Sequence, residues 1–200
     1  DTRVETEVQN IAIGEPEPFD PTVLDPSEVS DVMRNADLAC SNDDCGAAVV
    51  VGYDAILRGA ELVEVRAEDF NESEGTLYVR AKKGSENAHV ELSPDALGTL
   101  KRHIRANPER DRLFTNTYDN RFTAFAWNNH FRRKHHPAGF HSYARHSPIT
   151  NRLRQGEEFG SVFLRARHTQ PNTTLKYVSI VGGDAPDWAL EDALDRVEYA

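Results

Sequence analysis

The apolar and polar positions divide the chain into an acidic entry, a densely apolar stretch, one hairpin and a series of helices. From Asp44 to Val65 the residues (A-A-V-V-V-G-Y-D-A-I-L-R-G-A-E-L-V-E-V) are helical in pattern and strongly apolar. Gly59 is the expected break, and the β-branched triplet Val49–Val51 points to burial. T-L-Y-V-R (76–80) and A-H-V-E-L (88–92), separated by A-K-K-G-S-E-N, predict a hairpin with a glycine-containing loop. Ser93-Pro94 reads as the N-cap and first position of a helix to about Ala106, and Leu113-Phe114 returns the chain to the core. Further helices are predicted over 121–134, 143–155, 158–167 and 172–179, with Gly156 between the second and third. After G-G-D-A-P, residues 187–199 predict a tail helix with Trp188, Leu190, Leu194 and Val197 on one stripe. At the other end, Pro16, Pro18, Pro21 and Pro26 interrupt any helix or central strand, so residues 1–36 read as a linker. It ends in a short helix from Pro26 to about Asn35, with Asp25 as N-cap. The fold class is α+β, mainly α-helical, with a small antiparallel sheet.

Two hundred residues suit one domain of ordinary size with appendages. No apolar run approaches eighteen residues and no basic-then-apolar leader opens the chain, which predicts a soluble, unexported protein, cytoplasmic in location. The chain begins at Asp1 and its single methionine is Met33, so it reads as a fragment or a processed product.

The formal charge of −10 argues against a polyanionic partner until its distribution is examined. Between Asn120 and Gly183 ten Arg/Lys stand against only Glu157 and Glu158. A local positive field, rather than the total, attracts a polyanion. The cations are 18 Arg and five Lys, a bias shared by proteins of extreme halophiles and of GC-rich genomes. Cys40 and Cys45 could be half of a zinc site, a local disulfide or two unconnected thiols. Six histidines between His130 and His168 could complete a zinc site, but free thiols in a reducing compartment are the favoured reading.

The chemistry-bearing residues have a telling order. Arg145 lies twenty-three residues before His168, and Tyr177 lies nine after it, in R-H-S-P-I-T-N-R-L…A-R-H-T-Q-P-N-T-T-L-K-Y. Upstream, Arg58 sits in an otherwise apolar segment, where a cation is costly unless paired, and Glu61 three residues on can pair it. Lys83 occupies the K-K-G hairpin tip.

Together these motifs resemble the catalytic domain of the tyrosine recombinases, the phage integrase family of Xer- and Cre-like enzymes. The resemblance implies a domain over 37–182, a linker before it and an added tail over 183–200. It implies that Arg58 and Arg145 grip the non-bridging oxygens of a DNA phosphate, that His168 donates to a phosphoryl oxygen, and that Lys83 protonates the leaving 5′ oxygen. Tyr177 would be the nucleophile, forming a 3′-phosphotyrosine without metal or ATP. The partner implied is double-stranded DNA, with protomers assembling as a tetramer through the tail helix, and no membrane.

The sequence departs from the family pattern at three places. The glycine usual two residues before the first arginine is Ile56, and the Leu-Gly usual before the second histidine is replaced within Arg165-Ala166-Arg167. The histidine usual three residues before the second arginine is Ser142, with His141 one step earlier. Either one residue has been inserted, which puts His141 in the role, or the position is a serine. His146 is expected to pack structurally. Pro148 must fall in the first turn of its helix. Rival readings are a catalytically silent DNA-binding module, a type IB topoisomerase or telomere resolvase, and a histidine-rich metal phosphoesterase.

Overall fold

The structure is a computed structural model that describes residues 19–39, 44–82, 86–116 and 121–182. Expectations for residues 1–18, for Cys40, for the Lys83 hairpin tip and for the tail helix over 187–199 fall outside the described residues.

The Asp25 carboxylate accepts the backbone N–H of Ser27 (2.8 Å) and Glu28 (2.9 Å), which starts α1, Pro26–Ala39. The helix runs a turn beyond the expected end. It buries Val29, Val32 and Ala36, with Leu24, in the main core.

The apolar stretch from Asp44 divides into α2, Asp44–Asp54, and the short α3, Gly59–Leu62. The break falls at Ala55–Arg58 rather than at Gly59, which begins α3 instead. The chain turns on Ile56, whose φ of 52° is left-handed, and Glu61 then closes the first turn of α3 by accepting the Arg58 N–H at 2.8 Å.

The predicted hairpin forms from β2, Thr76–Val79, and β3, Ala88–Glu91, in register Leu77↔Val90 and Val79↔Ala88. The short β1, Phe70–Asn71, pairs with β2 to give an antiparallel order β1-β2-β3. Two residues carry too little alternation to be read from sequence. Leu77, Val79 and Val90 point into the core. Ser93 Oγ accepts from Ala96 N at 3.3 Å to cap α4, Pro94–Ala106, as expected.

Thr123 caps α5, Ala124–Lys134, by accepting from Ala126 N at 3.1 Å, and so sets its start three residues inside the expected span. The exposed Arg132, Arg133 and Lys134 close this helix, where cations complement its carbonyl end. A π-helical turn, Ser142–His146, then leads into α6, Ser147–Arg154. Pro148 accounts for the turn. It has no N–H, and its ring cannot lie against the carbonyl four residues back. Closing the turn one residue wider, through Ser147 N and Ser142 O, relieves both problems. α7, Phe159–Ala166, and α8, Pro171–Val181, complete the described chain.

Two principal apolar clusters result, with Phe159 and Val178 forming a lesser third. The larger holds α1, α2, the sheet, α4 and the aromatic group Trp127, Phe131, Phe140 and Tyr143. The smaller holds Ile56, Ile149, Val162, Ala166 and Tyr177, from the α2–α3 turn and helices α6, α7 and α8. Ser147 and Asn151 pin the entry segment beside this second cluster: Leu24 N donates to Ser147 Oγ (2.8 Å), and Asn151 Nδ2 donates to Leu24 O (3.0 Å). No described helix is long and apolar enough to cross a membrane.

Cys45, buried in the first turn of α2, is disulfide-bonded rather than a free thiol. Compartment arguments from composition carry no information about which sulfurs lie together.

The buried Asp44 carboxylate accepts from Thr115 N and Oγ1 (both 2.9 Å) and from Arg110 Nη1 (2.6 Å), tying the start of α2 to the strand-like segment after α4. Asp44→Ala removes these buried contacts and is expected to cost about 3–5 kcal/mol in urea denaturation. A loss below about 1 kcal/mol would mean that the contacts are dispensable.

Candidate active site

The site is built around one buried carboxylate. Glu61 accepts from Arg58 N (2.8 Å), Arg58 Nη1 (3.1 Å) and Arg167 Nη2 (2.8 Å), with its side chain wholly removed from solvent. Arg167 also donates to Ala55 O (2.9 Å) and Ile56 O (3.0 Å). Arg145 Nη1 donates to the same Ile56 carbonyl at 3.0 Å. One peptide oxygen therefore takes two guanidinium groups.

That oxygen is aimed by the left-handed turn at Ile56. Only two non-glycine residues with positive φ occur among the described residues, Ile56 (52°) and Arg167 (53°). These are two of the places where the family resemblance expects glycine or a different local sequence. The turn at Arg167 keeps its left-handed form without glycine. For a β-branched residue this conformation costs roughly 1–2 kcal/mol. Burial of the Ile56 side chain against Ile149, Val162 and Tyr177 offsets that cost.

Arg145 is 2 % exposed, and its Nη2 is buried without a hydrogen-bond partner. Burial, with repulsion from Arg58 and Arg167, draws its pKa down to about 9, so it stays protonated at neutral pH. An unsatisfied guanidinium N–H costs about 1–3 kcal/mol and fits an incoming anionic oxygen.

The remaining groups gather at this cation cluster. His168, on the turn between α7 and α8, shares a 2.7 Å hydrogen bond through Nδ1 with Thr174 Oγ1. Burial and the charges of Arg145, Arg58 and Arg167 bring its pKa down to about 3. His141 precedes the π turn and is likewise depressed, by burial and then by Arg145 and Arg58. Its ring meets that of His146 edge-on, with centroids 4.5 Å apart. His146, lowered to about 4 by burial, His141 and Arg145, shares a 2.8 Å hydrogen bond through Nδ1 with the Tyr177 hydroxyl. Tyr177, on α8, lies stacked on the His168 ring at 6.2 Å. Burial raises the phenol to about 12 even though Arg145 and Arg58 pull the other way. Phe19 covers the pair, its ring edge-on to Tyr177 (5.1 Å) and to His146 (5.9 Å).

Of the residues singled out in the sequence, Arg58, His141, Arg145, His168 and Tyr177 converge, while Lys83 lies outside the described residues. Sequence reasoning undervalued three others. The sequence assigns His146 to packing, yet at the end of the π turn it bonds a phenol 31 residues away. Arg167 was read only as a departure from glycine, and nothing in its local pattern signals that it folds inward onto Glu61. Glu61 was read as a partner of Arg58 alone. Of the basic residues between Asn120 and Gly183, Arg145 and Arg167 point into the protein, whereas Arg132, Arg133, Lys134, Arg154 and Lys176 face solvent.

The sequence matches the model of the phage integrase family over residues 22–180. The chain belongs to the phage integrase family. The fold agrees: the chain superposes on the XerA recombinase with a TM-score of 0.70 at 22% identity, covering 90% of this chain and 66% of that one. The Tn1549 transposon integrase in complex with a circular intermediate DNA gives 0.70 at 14% identity, covering 92% and 68%. A lambda integrase dimer bound to a core site gives 0.63 at 18% identity, covering 78% and 47%. The chain thus spans from about half to two thirds of the length of these structures. No curated protein matches it by sequence. The fold is that of a tyrosine recombinase catalytic domain, as the motifs imply.

Glu61→Gln removes the negative charge that Arg58 and Arg167 contact and is expected to destabilise the fold by about 3–5 kcal/mol in urea melts. An unchanged midpoint would show that the cations do not need it. The histidines supply a second prediction. His146 and His168 titrate lower in the folded state than their usual value near 6.5, so the unfolded chain takes up more protons as pH falls below that value. Stability is fully present above pH 6.5 and declines on acidification toward the folded values. The melting temperature should drop between pH 7.5 and 5, with a shallower slope in His168→Asn; equal slopes would remove His168 from the account.

Proposed function

We propose that this chain cuts and rejoins double-stranded DNA by tyrosine chemistry, as the catalytic part of a site-specific recombinase or integrase. The observation that carries this reading is the Tyr177 hydroxyl bonded to a neutral imidazole beside Arg145, whose buried Nη2 has no partner. The similarity to Xer and integrase structures, several of them described as DNA complexes, supports it.

The scissile phosphate would sit on Arg145 Nη2 and Arg58, with N–H donors from His168 and His141 completing the contacts to its non-bridging oxygens. Tyr177 gives its proton to His146 Nδ1 as its oxygen attacks phosphorus. The bond from phosphorus to the 5′ oxygen breaks, and Lys83, assigned from sequence alone, supplies the proton that the leaving alcohol needs. The products are a 3′-phosphotyrosine ester and a free 5′-hydroxyl. The ester keeps the energy of the broken bond, so rejoining by attack of a 5′-hydroxyl needs no nucleotide cofactor.

The phenol, at about 12 in the free protein, is poorly nucleophilic as it stands. Phe19 covers it from the solvent side, so DNA must displace that ring to bring phosphate within reach. The exposed cations Arg132, Arg133, Lys134, Arg154 and Lys176 provide sequence-independent backbone attraction. Assembly as a tetramer through residues 187–199 remains part of the proposal.

A nicked duplex that loses its 5′ fragment on cleavage should trap the unaltered chain as a denaturant-resistant adduct. Tyr177→Phe should keep the mobility shift and lose the adduct, and Arg145→Ala should slow cleavage by about 100-fold or more while affinity falls far less. A shift with no adduct in the unaltered chain would make it a binding module. An adduct that survives in Tyr177→Phe would name another nucleophile.

A further inference from the structure

One cluster of chemistry-bearing side chains plays no part in this site. Cys45 in the first turn of α2, His130 on α5 and His135 at the C-cap of α5 bring one ligand atom each within 4.8 Å of one another. Cys45 Sγ lies 3.3 Å from His130 Nε2, although the two are 85 residues apart in sequence. Ligand atoms around a tetrahedral zinc, at bond lengths of roughly 2.0–2.3 Å, stand about 3.3–3.8 Å from each other. One edge already has that length, and the widest needs to close by about an ångström.

We propose that the reduced chain binds one tetrahedral, thiophilic divalent metal ion of the zinc class through Cys45, His130 and His135. A solvent water completes the tetrahedron in the fourth position, as it does at zinc centres with three protein ligands.

The surroundings suit a metal-binding imidazole pair. His130 stacks on Trp127 (centroids 5.7 Å, interplanar angle 19°), and His135 packs on Phe131 at 5.1 Å. Both rings are partly buried, and a neutral imidazole offers a nitrogen lone pair for coordination. The first turn of α2 favours a thiolate at Cys45.

Cys45 is disulfide-bonded in this structure, and that oxidised form offers no thiolate. A reductant of the thiol or phosphine class supplies two electrons, and two protons are taken up, which returns both sulfurs to thiols. The metal then displaces the Cys45 thiol proton. The bound ion would fasten the start of α2 to the end of α5, just ahead of the segment that presents His141 and Arg145.

The test is cobalt(II) titration of the full 200-residue chain, reduced with a phosphine under anaerobic conditions, with competition by zinc. The expected result is one metal per chain, a sulfur-to-cobalt charge-transfer band and the visible bands of tetrahedral cobalt, all abolished by zinc. The disulfide form should lack the charge-transfer band. His130→Ala and His135→Ala should each weaken binding by more than about 100-fold, beyond the roughly 10–100-fold typical of an outer-sphere change. His130→Cys, which restores a ligand, should bind with a stronger charge-transfer band. Circular dichroism establishes that each variant is folded. A folded, reduced chain without the band would overturn the proposal, as would a band of equal affinity in both alanine variants. Because these readouts involve no DNA, they stand or fall separately from the recombinase reading.

Discussion

A single buried carboxylate lets three like charges share a small volume. Glu61 contacts Arg58 and Arg167 directly, and Arg145 is drawn to the same place through the Ile56 carbonyl. Two unit charges about 4 Å apart repel by about 4 kcal/mol at an effective dielectric of 20, so the cluster could not assemble from cations alone. Among the described residues, one negative charge stands against three positive, an excess of two. A phosphodiester brings one negative charge in its ground state and approaches two in a pentavalent transition state. On the function proposed above, the cluster is matched better to the transition state than to the substrate, which is the condition for accelerating the chemical step.

Backbone conformation supplies what the carboxylate cannot. The Ile56 peptide oxygen has to face inward to receive two guanidinium groups, and a left-handed residue turns it there. Where glycine would reach this conformation without strain, isoleucine holds it through the packing of its side chain in the cluster that also contains Tyr177. Arg167 adopts the same hand for a different return, since its own side chain then reaches Glu61. Neither position retains the conformational freedom of glycine in the unfolded chain, so less is lost on folding.

Much of this was legible beforehand, and the limits have physical causes. Hairpin and helices follow from Leu77, Val79 and Val90, from the Ser93-Pro94 cap and from the order of apolar runs, because these depend on neighbours close in sequence. The spacing of Arg145, His168 and Tyr177 gave the family and most of the site. The contact of His146 with Tyr177, the inward fold of Arg167 and the meeting of Cys45 with His130 were not legible. Each joins segments from 31 to more than 100 residues apart, and no local pattern encodes such a meeting. The break in the apolar stretch falls ahead of Gly59, the usual signal for a turn, because side-chain packing holds isoleucine in one.

The wide turn at Ser142–His146 limits which residues the segment ahead of α6 can accept. A turn closed five residues apart holds one residue more than an ordinary helical turn, and it leaves the His141 ring 4.5 Å from that of His146, five positions on. The extra residue and Pro148 then depend on each other. The widened turn admits the proline, and the proline bars return to regular helical closure. Regular closure of this turn would therefore require replacing the proline first.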